Sequence, residues 1–243
     1  MHIRTLETFY ARAWMPAEVI DYDGWKLHFA EGYTRRANSV NPFYGSLLDL
    51  DDKLAYCEDA FALRGLPVVY KLTDTVYPQD LDSELALRGY SKGTTVSVQT
   101  ADLQWQSSRI DDKARYTEMF DEAWLEDFCR LNVVDSRHLP PMRRLLQRIP
   151  LKKCFMHIKD ERETVAVGLG VTDSTHLALF DIVTSPHHRQ RGWGWTLVKS
   201  LLAWGKSHGA TTGTLQVLPD NMSALRLYAR FGFTESYRYW YRT

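Results

Sequence analysis

The chain has 243 residues, enough for one large domain or two of ordinary size. Apolar residues make up 44%, a normal supply for a sizeable core, and 30 Lys plus Arg balance 30 Asp plus Glu. That balance excludes the overall basic bias expected of a nucleic-acid binder. Cys57, Cys129 and Cys154 are too few and too widely spaced for a disulfide framework or a zinc site, so no metal is expected. The opening residues have no apolar signal core and no run reaches membrane-spanning length. The expectation is a soluble, cytoplasmic protein with neither nucleic acid nor membrane as partner.

Residues 5–20 read as a helix capped by Thr5, with Phe9, Ala13 and Trp14 on one face and Pro16 near its end. Trp25 to Ala30 alternates as a strand, and a second extended piece runs from Arg36 to Val40 before Asn41-Pro42. Leu50 to Leu63 is a helix stopped at Gly65, whose lack of a Cβ suits a left-handed C-cap. A strand at 68–72, a helix at 78–88 and a strand ending near Leu103 complete this half. The polar stretch 104–112 lacks periodicity and places a boundary between domains 1–108 and 109–243.

The second half opens with a helix over 116–132 and another over 140–149. Strands at 153–159, 164–172 and 176–183 form an antiparallel meander. After the turn Pro186 to Gly194 comes a helix ending near Gly209, a strand over 212–218, and a helix carrying Tyr228 to Gly232-Phe233. The order helix, Gly65, strand, helix, Gly89, strand is echoed by helix, Gly209, strand, helix, Gly232, strand. The fold class is therefore α+β, two units of mostly antiparallel sheet flanked by helices, the second complete. Leu85 stands where the second copy has Tyr228, and nothing before Leu50 resembles the glycine turn.

Gly192 and Gly194 join a strand to an amphipathic helix, where backbone amides and the positive end of the helix dipole favour an anion. The Gly-Lys-Ser/Thr of a P-loop is absent, as are the third glycine and distal acid of a dinucleotide fingerprint. No Asp or Glu occurs between Ile182 and Pro219, whereas His187, His188, Arg189, Arg191, Lys199, Lys206 and His208 do. This asymmetry points to a small polyanionic ligand; the glycines alone would fit an ordinary tight turn with a solvated basic rim.

Arg189-x-x-Gly192-x-Gly194, followed by a helix, a strand, Asn221 and Tyr228-x-x-x-Gly232-Phe233, resembles the GNAT superfamily of N-acetyltransferases. The first half, through Gly32 to Pro42, looks like the N-terminal part of two-domain members. The resemblance implies acetyl-coenzyme A as donor, its pyrophosphate on the amides of Gln190, Arg191, Gly192, Trp193, Gly194 and Trp195, with Arg189 beside them. Ile182, Val183 and Thr184 would pair with the amide-bearing arm. Asn221 reads as a cofactor contact, a helix N-cap, or both. Tyr228 falls at the position of the general acid and would be protonated at neutral pH; its other reading is packing beside Leu225 and Phe231.

Some relatives carry a glutamate base on the strand where this chain has Gln216, which cannot act as one. Asp181 is the substitute by position, sharing a face with Leu179 and Val183 by alternation, and otherwise a structural ion pair. His138 and His157 are further candidates. Arg36, Asn38 and Ser39 are candidate acceptor contacts, or a polar edge strand with its arginines in solvent. The implied activity is direct acetyl transfer to a primary amine of a small molecule by a monomer or homodimer. Protein N-terminal or lysine acetylation, and a non-catalytic acyl-coenzyme A sensor, are the alternatives.

Overall fold

A computed structural model describes residues 3–45 and 47–243. It separates into two compact units, the first comprising the chain up to Ser97 together with Tyr237–Thr243, the second Val98–Ser236. The stretch 98–108, assigned to the first half by composition, packs with the second unit. The last seven residues return to the first.

In the first unit, α1 (Ile3–Ala13) stops short of the expected residue 20. Pro16 contributes no amide, and β1 (Glu18–Tyr22) instead pairs antiparallel with β2 (Trp25–Phe29). The piece beginning at Arg36 is also corrected: Arg35–Ala37 forms a single 3-10 turn, and the strand, β3, is Ser39–Pro42. It lies between β2 and β4 (Tyr70–Thr73), so it is no edge strand. Helix α2 (Leu50–Ala62) begins at an Asp49 cap that accepts from the Asp51 amide, and α3 is Leu81–Leu87. Trp25, Leu27, Phe29, Val40, Phe61, Tyr70, Leu72, Leu81 and Leu85 form the core shared by this sheet with α2 and α3.

The second unit starts in β5 (Val96–Asp102) and continues into β6 (Ala114–Thr117), a strand where helix was expected. Helix α4 (Glu122–Asn132) begins only after Asp121, whose side chain caps the Ala123 amide at 3.0 Å. Then come α5 (Leu139–Arg148), β7 (Lys152–Asp160), β8 (Glu163–Thr172), β9 (His176–Thr184), α6 (Trp193–Ser207), β10 (Thr212–Val217), α7 (Met222–Ala229) and β11 (Thr234–Arg242). Strands β6 to β9 are successive antiparallel neighbours, and β9 pairs parallel with β10. Helix α6 packs Leu197 and Leu201 against a core including Met156, Ile158, Leu177 and Leu179. Gly168 and Gly170 leave room for it: a Cβ at Gly168 would lie 3.1 Å from Leu201 and 2.6 Å from Ile182. On the opposite face, Trp124 of α4 meets Phe155 and donates to the carbonyls of Met156 and Gly168, each at 3.2 Å.

Candidate active site

The parallel pairing of β9 with β10 runs only from His176↔Thr212 to Leu179↔Leu215. Beyond it, Ile182, Val183 and Thr184 remain attached to β8, through Val183↔Val167 and Thr184↔Ala166. The two strands therefore splay, and the backbone facing β10 becomes a pairing edge for an extended, amide-bearing ligand. Burial follows the same boundary, with His176 to Phe180 buried and Asp181 to Thr184 half-buried.

A bulge starts the splay. The β8–β9 register slips opposite Gly168, and Asp181 adopts a positive φ of 51°. The slip overturns the simple alternation: Ile182, and not Asp181, joins Leu177 and Leu179 on the α6 side. Asp181 lies within electrostatic reach of Cys129 on α4, where burial foremost, and then the Asp181 and Glu122 charges, push the thiol pKa up. A strained non-glycine backbone next to a half-buried carboxylate is a feature that clusters at functional sites.

The glycine turn follows β9 directly. Gly192 is the N-cap of α6 at φ 85°, a left-handed conformation costly for any residue with a Cβ, and it offers no side chain to satisfy the first-turn amides. Gly194 is required for a different reason. A Cβ there would sit 3.3 Å from Thr184 Oγ1 and 3.4 Å from Leu227 Cδ2. The end of β9, the first turn of α6 and helix α7 thus meet at one point. Gln190 is also left-handed, at φ 62°, and Arg189 and Arg191 are exposed beside it.

The indoles of the turn are committed to packing, which leaves their backbone amides for a ligand. Trp193 lies under the Lys113 ammonium at 4.4 Å, and Trp195 stacks on Phe231 with centroids 5.9 Å apart. The basic excess is narrower than the charge count implies. Lys206 is at the far end of α6, donating to the carbonyls of Gln104 and Gln106 at 2.8 Å, and His208 Nε2 faces Glu118 at 3.1 Å. Lys199 lies over the Trp195 ring at 5.1 Å. His187, His188, Arg189 and Arg191 lie in and beside the turn, and Lys113, Lys199 and Arg230 reach it over the faces of Trp193 and Trp195.

Tyr228 is 8% exposed on α7, edge-on to Phe233. Burial raises its pKa to about 12, so the hydroxyl keeps its proton throughout the neutral range. Asn221 caps α7, accepting from the Ala224 amide at 3.2 Å and the Ser223 hydroxyl at 3.1 Å. Gln216 is half-buried on β10, one residue past the end of its pairing with β9.

Three expected acceptor contacts have other work. Asn38 Oδ1 accepts from the amides of Ala30 and Gly32 at 2.7 and 3.0 Å, and its Nδ2 donates to the carbonyls of Tyr33 and Thr34 at 2.8 and 2.9 Å. Ser39 is fully buried, and the Arg36 guanidinium lies over Trp14 at 4.7 Å. This polar segment holds the first unit together. His138 is the N-cap residue of α5. His157 is buried on β7 with Nδ1 at 3.1 Å from Asp127 and Nε2 at 3.1 Å from Asp121. Through the register His157↔Val167↔Val183 it stands two strand spacings, roughly 10 Å, from the splayed edge. Neither sequence motif nor charge pattern signals that aspartate–histidine–aspartate arrangement, the β9 bulge or the splay. Each depends on which strands become neighbours.

Among the described residues no helix is long and apolar enough to cross a membrane, and no group of three or more His, Cys, Asp or Glu could hold a metal ion. All three cysteines are free.

Comparison with known proteins covers nearly the whole chain. The family model described as "Probable histone acetyltransferase Rv0428c C-terminal" matches residues 1–242. A relative from Bacillus subtilis (strain 168), "Uncharacterized N-acetyltransferase YobR", is 28% identical over 99% of this chain and 98% of its own length. Among solved structures, a GCN5-related N-acetyltransferase from Kribbella flavida superposes with a TM-score of 0.72 at 14% identity, covering 100% of this chain and 95% of that one. A tandem GNAT protein from the clavulanic acid biosynthesis pathway gives 0.63 at 10% identity over 97% and 86%. The strand splay, glycine turn and tyrosine helix thus sit in a chain that belongs to the GNAT N-acetyltransferases, within the family of that Rv0428c C-terminal model.

Proposed function

We propose that the second unit transfers an acetyl group from acetyl-coenzyme A to a primary amine of a small molecule by direct attack on the thioester. The observation that carries this reading is the meeting of three parts at Gly194: the free edge of β9, the uncapped first turn of α6, and the helix bearing Tyr228. The residues present fit the coenzyme. Ile182, Val183 and Thr184 offer a strand edge to its amide arm, and the Gln190 to Trp195 amides, with Arg189 and Arg191 beside them, suit a pyrophosphate. Asn221 Oδ1 is already engaged as a cap, so any further contact falls to its amide nitrogen. The bound coenzyme supplies an activated acetyl thioester.

The protein's own groups then manage protons. Tyr228, held neutral by burial, keeps a proton on its hydroxyl for the departing thiolate. Asp181, on the α4 side of the bulge, is the carboxylate placed to receive the proton of the incoming amine, with α4 and α5 as the acceptor wall. A second reading, transfer to a protein lysine, is favoured by the description of the matched family.

The test is thiol release from acetyl-coenzyme A with spermidine, glucosamine, a free amino acid and a lysine-rich peptide as acceptors. Tyr228→Phe is expected to lower kcat by about 100-fold with unchanged coenzyme Kd. Turnover of the peptide alone would replace the small-molecule reading. Coenzyme binding without release for any amine would make the protein a sensor and end the enzymatic one.

A further inference from the structure

We propose that His157 is a positioning residue: its doubly protonated ring holds helix α4 against β7 through Asp121 and Asp127, and its charge state governs where that helix lies. The proposal rests on the reading above only in taking α4 as the acceptor wall.

Both ring nitrogens face a carboxylate oxygen at 3.1 Å, and an ionised carboxylate only accepts. Satisfying both contacts therefore requires both nitrogens to carry hydrogen. A neutral ring leaves one nitrogen lone pair directed at a carboxylate, a repulsive contact inside the fold. Asp127 remains ionised: burial opposes its charge, but the Arg130 and Thr164 contacts, then the Arg130 and His157 charges, hold its pKa below the usual value.

The two aspartates are not interchangeable surface acids. Asp121 is the N-cap of α4, giving Oδ1 to the Ala123 amide and Oδ2 to the histidine. Asp127 lies more than a turn further on and is tied to Arg130, which also donates to the Thr164 carbonyl of β8 at 3.1 Å. One ring thus grips the helix at its N-cap and near its middle. The same helix approaches the bulge at Asp181 through Cys129, and His157 shares its transverse row with Val183. A shift of α4 on its outer flank would therefore be felt on its inner one.

The surroundings permit the ring to exchange protons. A recess of about 270 Å³ opens beside it, lined by Arg115, Tyr116, Thr117 and Lys159 together with the two aspartates. The charged or titratable groups facing the ring are thus Asp121, Asp127 and Arg130 from α4, Arg115 and Tyr116 from β6, and Lys159 from β7. Its partner on β8 is Val167, which cannot titrate. The two nearest groups are both acidic, and the cations stand on the rim.

Hydrogen exchange of the full chain, corrected for intrinsic rates, tests the latch without any turnover. Protection of α4 is compared with that of α6 at about pH 5.5 and about pH 8.5. The wild-type α4/α6 protection ratio is expected to fall roughly tenfold at the higher pH, the effect of losing one charge-assisted bond. In His157→Gln it is expected to be low at both values. Asp127→Asn, which keeps the shape of the carboxylate, is expected to reduce the pH effect, and α6 protection reports whether either variant has folded. A wild-type ratio that does not change with pH, or a change that survives in His157→Gln, overturns the proposal. If an amine from the panel turns over, His157→Gln is expected to raise its KM several-fold with kcat and coenzyme Kd unchanged. An unchanged amine KM would overturn the link to the acceptor wall.

Discussion

Asn38 and His28 show how much polar chemistry is buried in the first unit. Asn38 spends its whole amide on five backbone groups between Ala30 and Thr34, and it fixes a segment in which Glu31, Gly32 and Thr34 all have positive φ. Asn38→Ala leaves those groups without their partner inside the fold, so we expect a loss of about 2–4 kcal/mol in urea unfolding. His28 is 3% exposed, and burial, then the Lys71 and Lys26 charges, lower its pKa to about 4. The folded state thus stays neutral where the unfolded state takes up a proton. Stability from this group is complete above the ordinary pKa of about 6.5 and is lost as pH falls towards 4, by up to roughly 3 kcal/mol. A urea midpoint followed from pH 7 to 4.5 should therefore fall less steeply in His28→Gln. Lys71 itself is buried against Glu7, whose other oxygen accepts from the Tyr237 hydroxyl at 2.5 Å.

At the scale of elements, the working parts are ends and irregularities. Strand β9 is useful because it bulges at Asp181 and leaves β10 after Leu179, and α6 because its cap is a glycine without a side chain. Gly194→Asp would place a Cβ 3.3 Å from Thr184 Oγ1 and a negative charge among the first-turn amides. We expect coenzyme affinity measured by calorimetry to fall at least about 100-fold, while the cost to folding is about 1–3 kcal/mol because the neighbours must yield. Unchanged affinity would remove the pyrophosphate from this turn. The glycines, Tyr228 and the strand–helix order around them were legible because motif spacing is local. The acceptor residues were not. Arg36, Asn38 and Ser39 form a polar run that could face a ligand or its own backbone, and only the fold of the 30–38 turn decides between the two.

The whole molecule is a duplicated plan with unequal halves and a shared strand. Residues of β11 from Tyr237 onward belong to the first unit, pairing Tyr239 to Arg242 with Thr73 to Tyr70 on β4. Trp240 Nε1 and Arg242 Nε both donate to Asp82 at the start of α3, at 2.6 and 2.8 Å. A chain ended at Ser236 is expected to lose the first unit selectively. Amides of β2, β3 and β4 should exchange rapidly while α6 and β8 keep their protection, and equal protection in both units would contradict this division.

Local chemistry alone determined a good deal of this protein: an α+β chain in two related parts, a glycine turn before an amphipathic helix, a tyrosine four residues before a glycine, and no acid from Ile182 to Pro219. Each of these is a matter of neighbours along the chain, where backbone preference and side-chain period act directly. Tertiary structure decided what depends on neighbours in space. It turned Asp181 towards α4 by a one-residue bulge, withdrew Lys206 and His208 from the anion site, and buried Asn38 and Ser39. It also set His157 between two aspartates. Strand pairing determines which face a residue takes, and one slipped register reverses that face without altering a letter of the sequence.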